Sequence, residues 1–150
     1  MKLGTACMLA ALALAMSSCA TSVPLASESD DAGAKTFAPP NGRASIYVVR
    51  DGGYVSGMFV VFRVSLDGIE RGALANTTYL VFSVDSGRHI VTASGNENRE
   101  QVTLDIEAGQ NYFVSVRSKI GYRTARVTVK QLTATEGRQA VRDARLASGL

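Results

Sequence analysis

Few side chains in this 150-residue chain are equipped for covalent or metal chemistry: a single histidine, His89, and two cysteines, Cys7 and Cys19. A Ser-His-Asp arrangement would have to be built on His89, and a histidine-rich metal site lacks the ligands to exist. His89 follows Ser86-Gly87 and shares a strand face with Val91 and Ala93. It is therefore expected to tie a turn through a hydrogen bond rather than to catalyse. Asp105 and Glu107 have the i, i+2 spacing that puts two carboxylates on one strand face, the raw material of a glycosidase pair. Alternation with Leu104 and Ile106 explains them equally as the wet face of a sheet. The glycine-rich stretch DGGYVSG, 51–57, precedes the strand-like MFVVF. A phosphate cradle needs a helix N-terminus behind the loop, so this is expected to be a connection with Tyr54 available for partner contact. No catalytic residue, metal or cofactor is expected.

The two cysteines belong to another chemistry. Lys2 precedes an apolar run from Leu3 to Met16, which ends in Ser17-Ser18-Cys19. That is the layout of a secretory signal, and it is shorter than the roughly 20 apolar residues needed to span a bilayer. In one reading Met16-Ser17-Ser18-Cys19 is a lipobox, cut between Ser18 and Cys19, with Cys19 acylated. In the other, Ser18-Cys19-Ala20 is an ordinary site cut after Ala20, releasing a secreted or periplasmic protein. The lipobox is preferred because the chain has no cysteine beyond this boundary. Acyl chains contribute about 0.8 kcal/mol per buried CH₂, enough for a stable anchor when several are present. The mature domain then has neither disulfide nor thiol and must stand on its core.

These features divide the chain into a signal peptide, 1–18, a flexible Ser/Ala/Pro-rich tether, 19–42, a folded domain, 43–132, and a C-terminal helix or tail, 133–150. The domain contains seven short runs rich in β-branched and aromatic residues: 44–50, 58–66, 78–84, 88–94, 100–106, 111–117 and 124–130. Val102, Leu104 and Ile106 alternate with Thr103, Asp105 and Glu107, as a half-buried strand requires. Asp67-Gly68 suits a two-residue hairpin with positive φ at both central positions. Ser86-Gly87 and Ala108-Gly109 look like further corners, marking Gly87 and Gly109 as structural turn residues beside Asp67, Gly68 and His89. The expectation is an all-β fold, a small antiparallel β-sandwich of the immunoglobulin or PEGA-like kind, with a short C-terminal helix or tail.

Charge is unevenly distributed. Residues 19–116 carry 7 basic and 11 acidic side chains, whereas 117–150 carry 8 basic and 2 acidic. Such a basic end could meet an anionic envelope surface, with Arg123 and Arg126 as contact candidates. The alternative is ordinary: Arg126 and Lys130 alternate with Val127 and Val129, and cations also guard sheet edges. Export removes nucleic acid as a partner.

The motifs GRASIYVVR (42–50), LDG (66–68) with RGAL (71–74), Tyr79 ahead of SGRH (86–89), EAGQNYF (107–113) and EGRQAV (136–141) stand in one order. In that order the chain resembles the bacterial domain-of-unknown-function family 2846, and its Asp-Gly and Gly-x-His corners resemble the PEGA type of surface domain. Ser86 departs from the proline that the family often has there. The resemblance implies a small envelope lipoprotein of the β-sandwich kind, with no established activity and no catalytic residues to carry over. The membrane, through lipidated Cys19, and an envelope protein or anionic surface are the expected partners. Ala20 after the cysteine suggests the periplasmic face of the outer membrane, by analogy with Gram-negative sorting. Three functions stay open: an interaction or scaffold module; a small-molecule or glycan binder with a cleft lined by Tyr47, Tyr54 or Tyr122; and a hydrolase built on His89.

Overall fold

The computed structural model describes residues 22–52 and 59–150. Among these residues two helices, α1 (Glu28–Ala34) and α2 (Ala134–Arg142), accompany nine strands: β1 (Ala44–Val49), β2 (Phe62–Leu66), β3 (Ile69–Leu74), β4 (Thr78–Val84), β5 (Gly87–Ser94), β6 (Arg99–Ile106), β7 (Asn111–Ile120), β8 (Ala125–Leu132) and β9 (Arg145–Leu146). They form a five-stranded sheet, β8-β7-β1-β4-β9, and a four-stranded sheet, β3-β2-β5-β6. The sheets face each other across a core that includes Ile46, Val48, Phe62, Val64, Leu80, Val91, Leu104, Val114 and Val127. The expected sandwich with a C-terminal helix is the observed architecture.

The first strand, β1, shows why an apolar run need not alternate. All six of its residues are buried, because Ile46 and Val48 enter the inter-sheet core while Tyr47 and Val49 enter a second cluster on the outer face. Phe37, Tyr79, Phe113 and Val141 complete that cluster, which Ala34 of α1 and Ala140 of α2 help cover. The sheet is thus covered on both faces. β6 does alternate: Leu104 and Ile106 are buried, Thr103 and Asp105 exposed.

Pairing is antiparallel except between β1 and β7 and between β4 and β9, which are parallel. Asp67-Gly68 forms the expected hairpin, with φ of 52° and 82° and Leu66 facing Ile69 across it. Gly87 and Gly109 have positive φ, but they do not close hairpins. Each lies where the chain passes from one sheet to the other, after β4 and before β7. Turn chemistry marks a change of direction and leaves the partner strand unspecified.

The tether expectation is corrected for the described part of 19–42. Ser27 caps α1, accepting from the Asp30 N–H, and the Asp31 carboxylate accepts from the Tyr79 hydroxyl and the Leu146 N–H, both at 2.9 Å. Burial alone would raise the Asp31 pKa, but these bonds and Lys35 together hold it below the ordinary value. Leu25 bridges Ala147, and Phe37 is buried against Tyr47 and Phe113 with ring centroids 5.3 and 5.9 Å away. A segment with only scattered apolar residues is ordered because the sheet supplies what they bury against.

Helix α2 starts at a capping box, Thr133 and Glu136, and its Gly137 faces Phe113 so closely that an added Cβ would lie 2.1 Å from the ring. Glycine there permits close helix–sheet contact instead of weakening the helix without purpose.

Candidate interaction surface

Parallel pairing sends β1 and β7 toward the same end of the sandwich, with Val49 beside Ser115. β7 then runs on to Ile120 before the chain returns in β8 at Ala125. At about 3.3 Å per residue, this hairpin projects roughly 16 Å beyond the end of β1.

Three polar devices build this end. The Arg50 side chain is fully buried, lies 4.6 Å from the Phe62 ring centroid, and donates to the Val60 and Leu74 carbonyls. Its backbone N–H donates to the Thr78 carbonyl at 2.9 Å, so one residue ties the ends of the 51–60 connection and the β3–β4 turn together. Burial lowers its pKa to about 10, which still leaves it cationic. Asp51 pairs with Arg117 and accepts from the Ser115 hydroxyl at 3.0 Å. Burial raises its pKa, but these partners outweigh burial and hold it below the ordinary carboxylate value.

The third device joins the two sheets at their tips. Glu97 and Asn98, in the β5–β6 turn, reach the β7–β8 hairpin: Glu97 accepts from the N–H groups of Tyr122, Arg123 and Thr124. Asn98 exchanges two 2.8 Å bonds with the Val127 backbone. The amides of Thr124, Arg123 and Tyr122 depress the Glu97 pKa to about 2. Its charge is committed to backbone.

What projects past these fastenings is apolar and basic. Phe59, Ile120 and Tyr122 are 73%, 66% and 94% exposed, and Lys119, Arg123 and Arg126 are exposed beside them in sequence. Lys119 stands directly across from Arg126, an unfavourable like-charge pair on a free surface. Arg123 and Arg126, the contact candidates, thus belong to one hairpin; Tyr54 lies outside the described residues, as do Ser18 and Cys19.

At the opposite end His89 does the work expected of a corner. Its Nδ1 lies 2.7 Å from Asp67 Oδ2 and its Nε2 lies 3.0 Å from the Asp85 carbonyl oxygen. Both partners accept, so the doubly protonated ring suits the site, and the Asp67 hydrogen bond leads the factors that raise its pKa. Asp67 also accepts from the Ile90 N–H at 2.8 Å. Burial raises the Asp67 pKa, yet His89 and Ile90 bring it below the ordinary value. With both ring nitrogens engaged, His89 has no nitrogen left to activate a serine.

Asp105 pairs with Arg88 at 3.1 Å in the open. Tyr47 is 2% exposed and stacks on Phe113 at 5.2 Å, so it lines no cleft, and Tyr122 sits at a hairpin tip. A cleft of about 590 Å³ is lined by residues that include Arg43, Leu66, Arg71, Phe82 and Leu150, with no tyrosine. Among the described residues no three His, Cys, Asp or Glu side chains gather as a metal site, and no helix is long and apolar enough to cross a membrane.

Sequence reasoning missed Arg50 and Glu97. Arg50 closes an otherwise apolar strand, which is the available signal of a buried cation; nothing local distinguishes Glu97, whose amide partners lie 25–27 residues away.

A family model described as "Protein of unknown function (DUF2846)" matches residues 40–129. A relative from Haemophilus influenzae (strain ATCC 51907 / DSM 11121 / KW20 / Rd), named "Uncharacterized protein", is 27% identical over 131 residues, covering 87% of this chain and 76% of that protein. No solved structure matches significantly.

Proposed function

The chain belongs to the DUF2846 family of proteins of unknown function, and from that premise we propose that it is a lipid-anchored, non-enzymatic interaction module of the bacterial cell envelope. The observation that carries the interaction role is the contrast between committed polar and exposed apolar side chains. His89, Asp67, Asp51 and Glu97 are committed to structural bonds, whereas Phe59, Ile120 and Tyr122 are held out in solvent. Exposed apolar side chains on a braced scaffold suit contact better than turnover. The anchor rests on the sequence: Cys19 is the sole cysteine beyond the apolar leader and sits directly after two serines.

Metabolic labelling tests this function. Cells expressing the chain are fed a tagged palmitate and the protein is recovered from the membrane fraction. Label in wild type and none in Cys19→Ser is the expected result; an unlabelled wild-type protein in the soluble fraction overturns the anchor. Cross-linking from Tyr122 then identifies what the exposed end touches.

A further inference from the structure

The anchoring reading has a geometric consequence when combined with the fold. We propose that the end of the sandwich formed by the β7–β8 hairpin lies on the membrane, with Phe59, Ile120 and Tyr122 entering the headgroup region and Lys119, Arg123 and Arg126 meeting anionic phospholipid.

The chain reaches the domain at that end. Ser22 and Val23 line a small cleft with Ala75, Asn76, Thr77, Thr78 and Arg145, and the Thr78 carbonyl accepts from the Arg50 N–H. The packed segment therefore begins beside the Arg50 fastening, the base from which the hairpin projects. Cys19 precedes Ser22 by three residues, and a fully extended chain of that length spans about 10 Å. The roughly 16 Å projection of the hairpin exceeds that reach. An acylated Cys19 places this end against the bilayer instead of suspending the domain away from it.

The surface suits that position. Tyrosine is at home in the interfacial zone, where an apolar ring and a polar hydroxyl are both satisfied. Arg117 is paired with Asp51, and the Glu97 carboxylate is turned onto three amides. The cations that the hairpin turns outward are thus Lys119, Arg123 and Arg126, and anionic lipid relieves the repulsion of the facing Lys119–Arg126 pair.

The test uses the mature chain carrying Cys19→Ser, so that docking is read without the lipid and fails or succeeds separately from the anchor. This chain has no thiol. A cysteine introduced at Thr124 or, at the opposite end, at Ser86 takes a single environment-sensitive fluorophore. The protein is mixed with phosphatidylcholine vesicles with and without phosphatidylglycerol. The expected result is a blue shift and quenching by headgroup-labelled lipid at position 124 only, on the anionic vesicles. Replacing Lys119, Arg123 and Arg126 by glutamine should lower partitioning about 100-fold, since each cation near an anionic surface contributes on the order of 1 kcal/mol, with a melting midpoint no lower than that of the parent chain. A probe at 124 that stays in water, or an equal response at 86, overturns the proposal. A probe at 124 that stays in water on vesicles but is shielded in whole envelopes also overturns it, and assigns the surface to a protein.

Discussion

Gly137→Ala should destabilise this protein, against the usual effect of that substitution. In a helix interior the change is normally favourable by about 1 kcal/mol. Here the new Cβ would stand 2.1 Å from Phe113 Cγ and 2.3 Å from its Cβ, whereas carbon atoms pack at about 3.5–4.0 Å. α2 would have to retreat by about 1.5 Å, because those two atoms sit at the base of the ring and do not swing aside. Overpacking costs about 1–3 kcal/mol, and the immobile partner places this case near the top of that range. Setting the propensity gain against it leaves a net loss of about 2 kcal/mol. The same substitution at Gly33 in α1 meets nothing within 4 Å and should stabilise by up to about 1 kcal/mol. Urea unfolding followed by circular dichroism reads both signs. If Gly137→Ala raises the midpoint as Gly33→Ala does, the close packing of α2 on β7 is wrong.

Phe37→Ala should cost about 3–5 kcal/mol, the range of buried phenylalanine truncations, and the φ of 57° at this position brings no relief because alanine keeps the Cβ that strains it; an unchanged urea midpoint would restore the tether. Glu97, with its pKa lowered to about 2 by the Thr124, Arg123 and Tyr122 amides, should stabilise the hairpin above its unfolded pKa and lose that effect as pH falls through the folded value. Amide exchange at residues 122–124, corrected for intrinsic rates, should therefore accelerate over that interval, and should be fast at neutral pH in Glu97→Ala. His89 has the opposite sign: its folded pKa is raised, so its contribution is complete below about pH 6.5 and fades as pH climbs through the folded value. Melting scans of wild type and His89→Gln should converge on the alkaline side, and a gap that widens with pH would contradict the Asp67–His89 pairing.

The elements legible in the sequence were those whose burial is local. β4 and β6 follow their apolar runs almost residue for residue, and Thr133 with Glu136 announces α2. Asp67-Gly68 was legible because a two-residue turn between strands dictates its own backbone. β3, IERGAL, was hidden by three exposed residues at its start, and β9 by its length of two residues. The parallel pairing of β1 with β7 joins residues 66 positions apart, a choice made by the whole core. The surface was half legible for the same reason. Arg123 and Arg126 stood out by charge, but the bracing of their hairpin depends on Glu97 and Asn98, whose partners lie some 25 to 29 residues away. Tyr47 misled because a tyrosine reads alike at a cleft rim and inside a two-sided sheet.

The most direct test of the account is the intact mass of the protein from the membrane fraction, wild type against Cys19→Ser. The expected species begins at Cys19, is heavier than the bare chain by its acyl groups, and is lost in the variant. A soluble, unmodified chain beginning at Thr21 would contradict it.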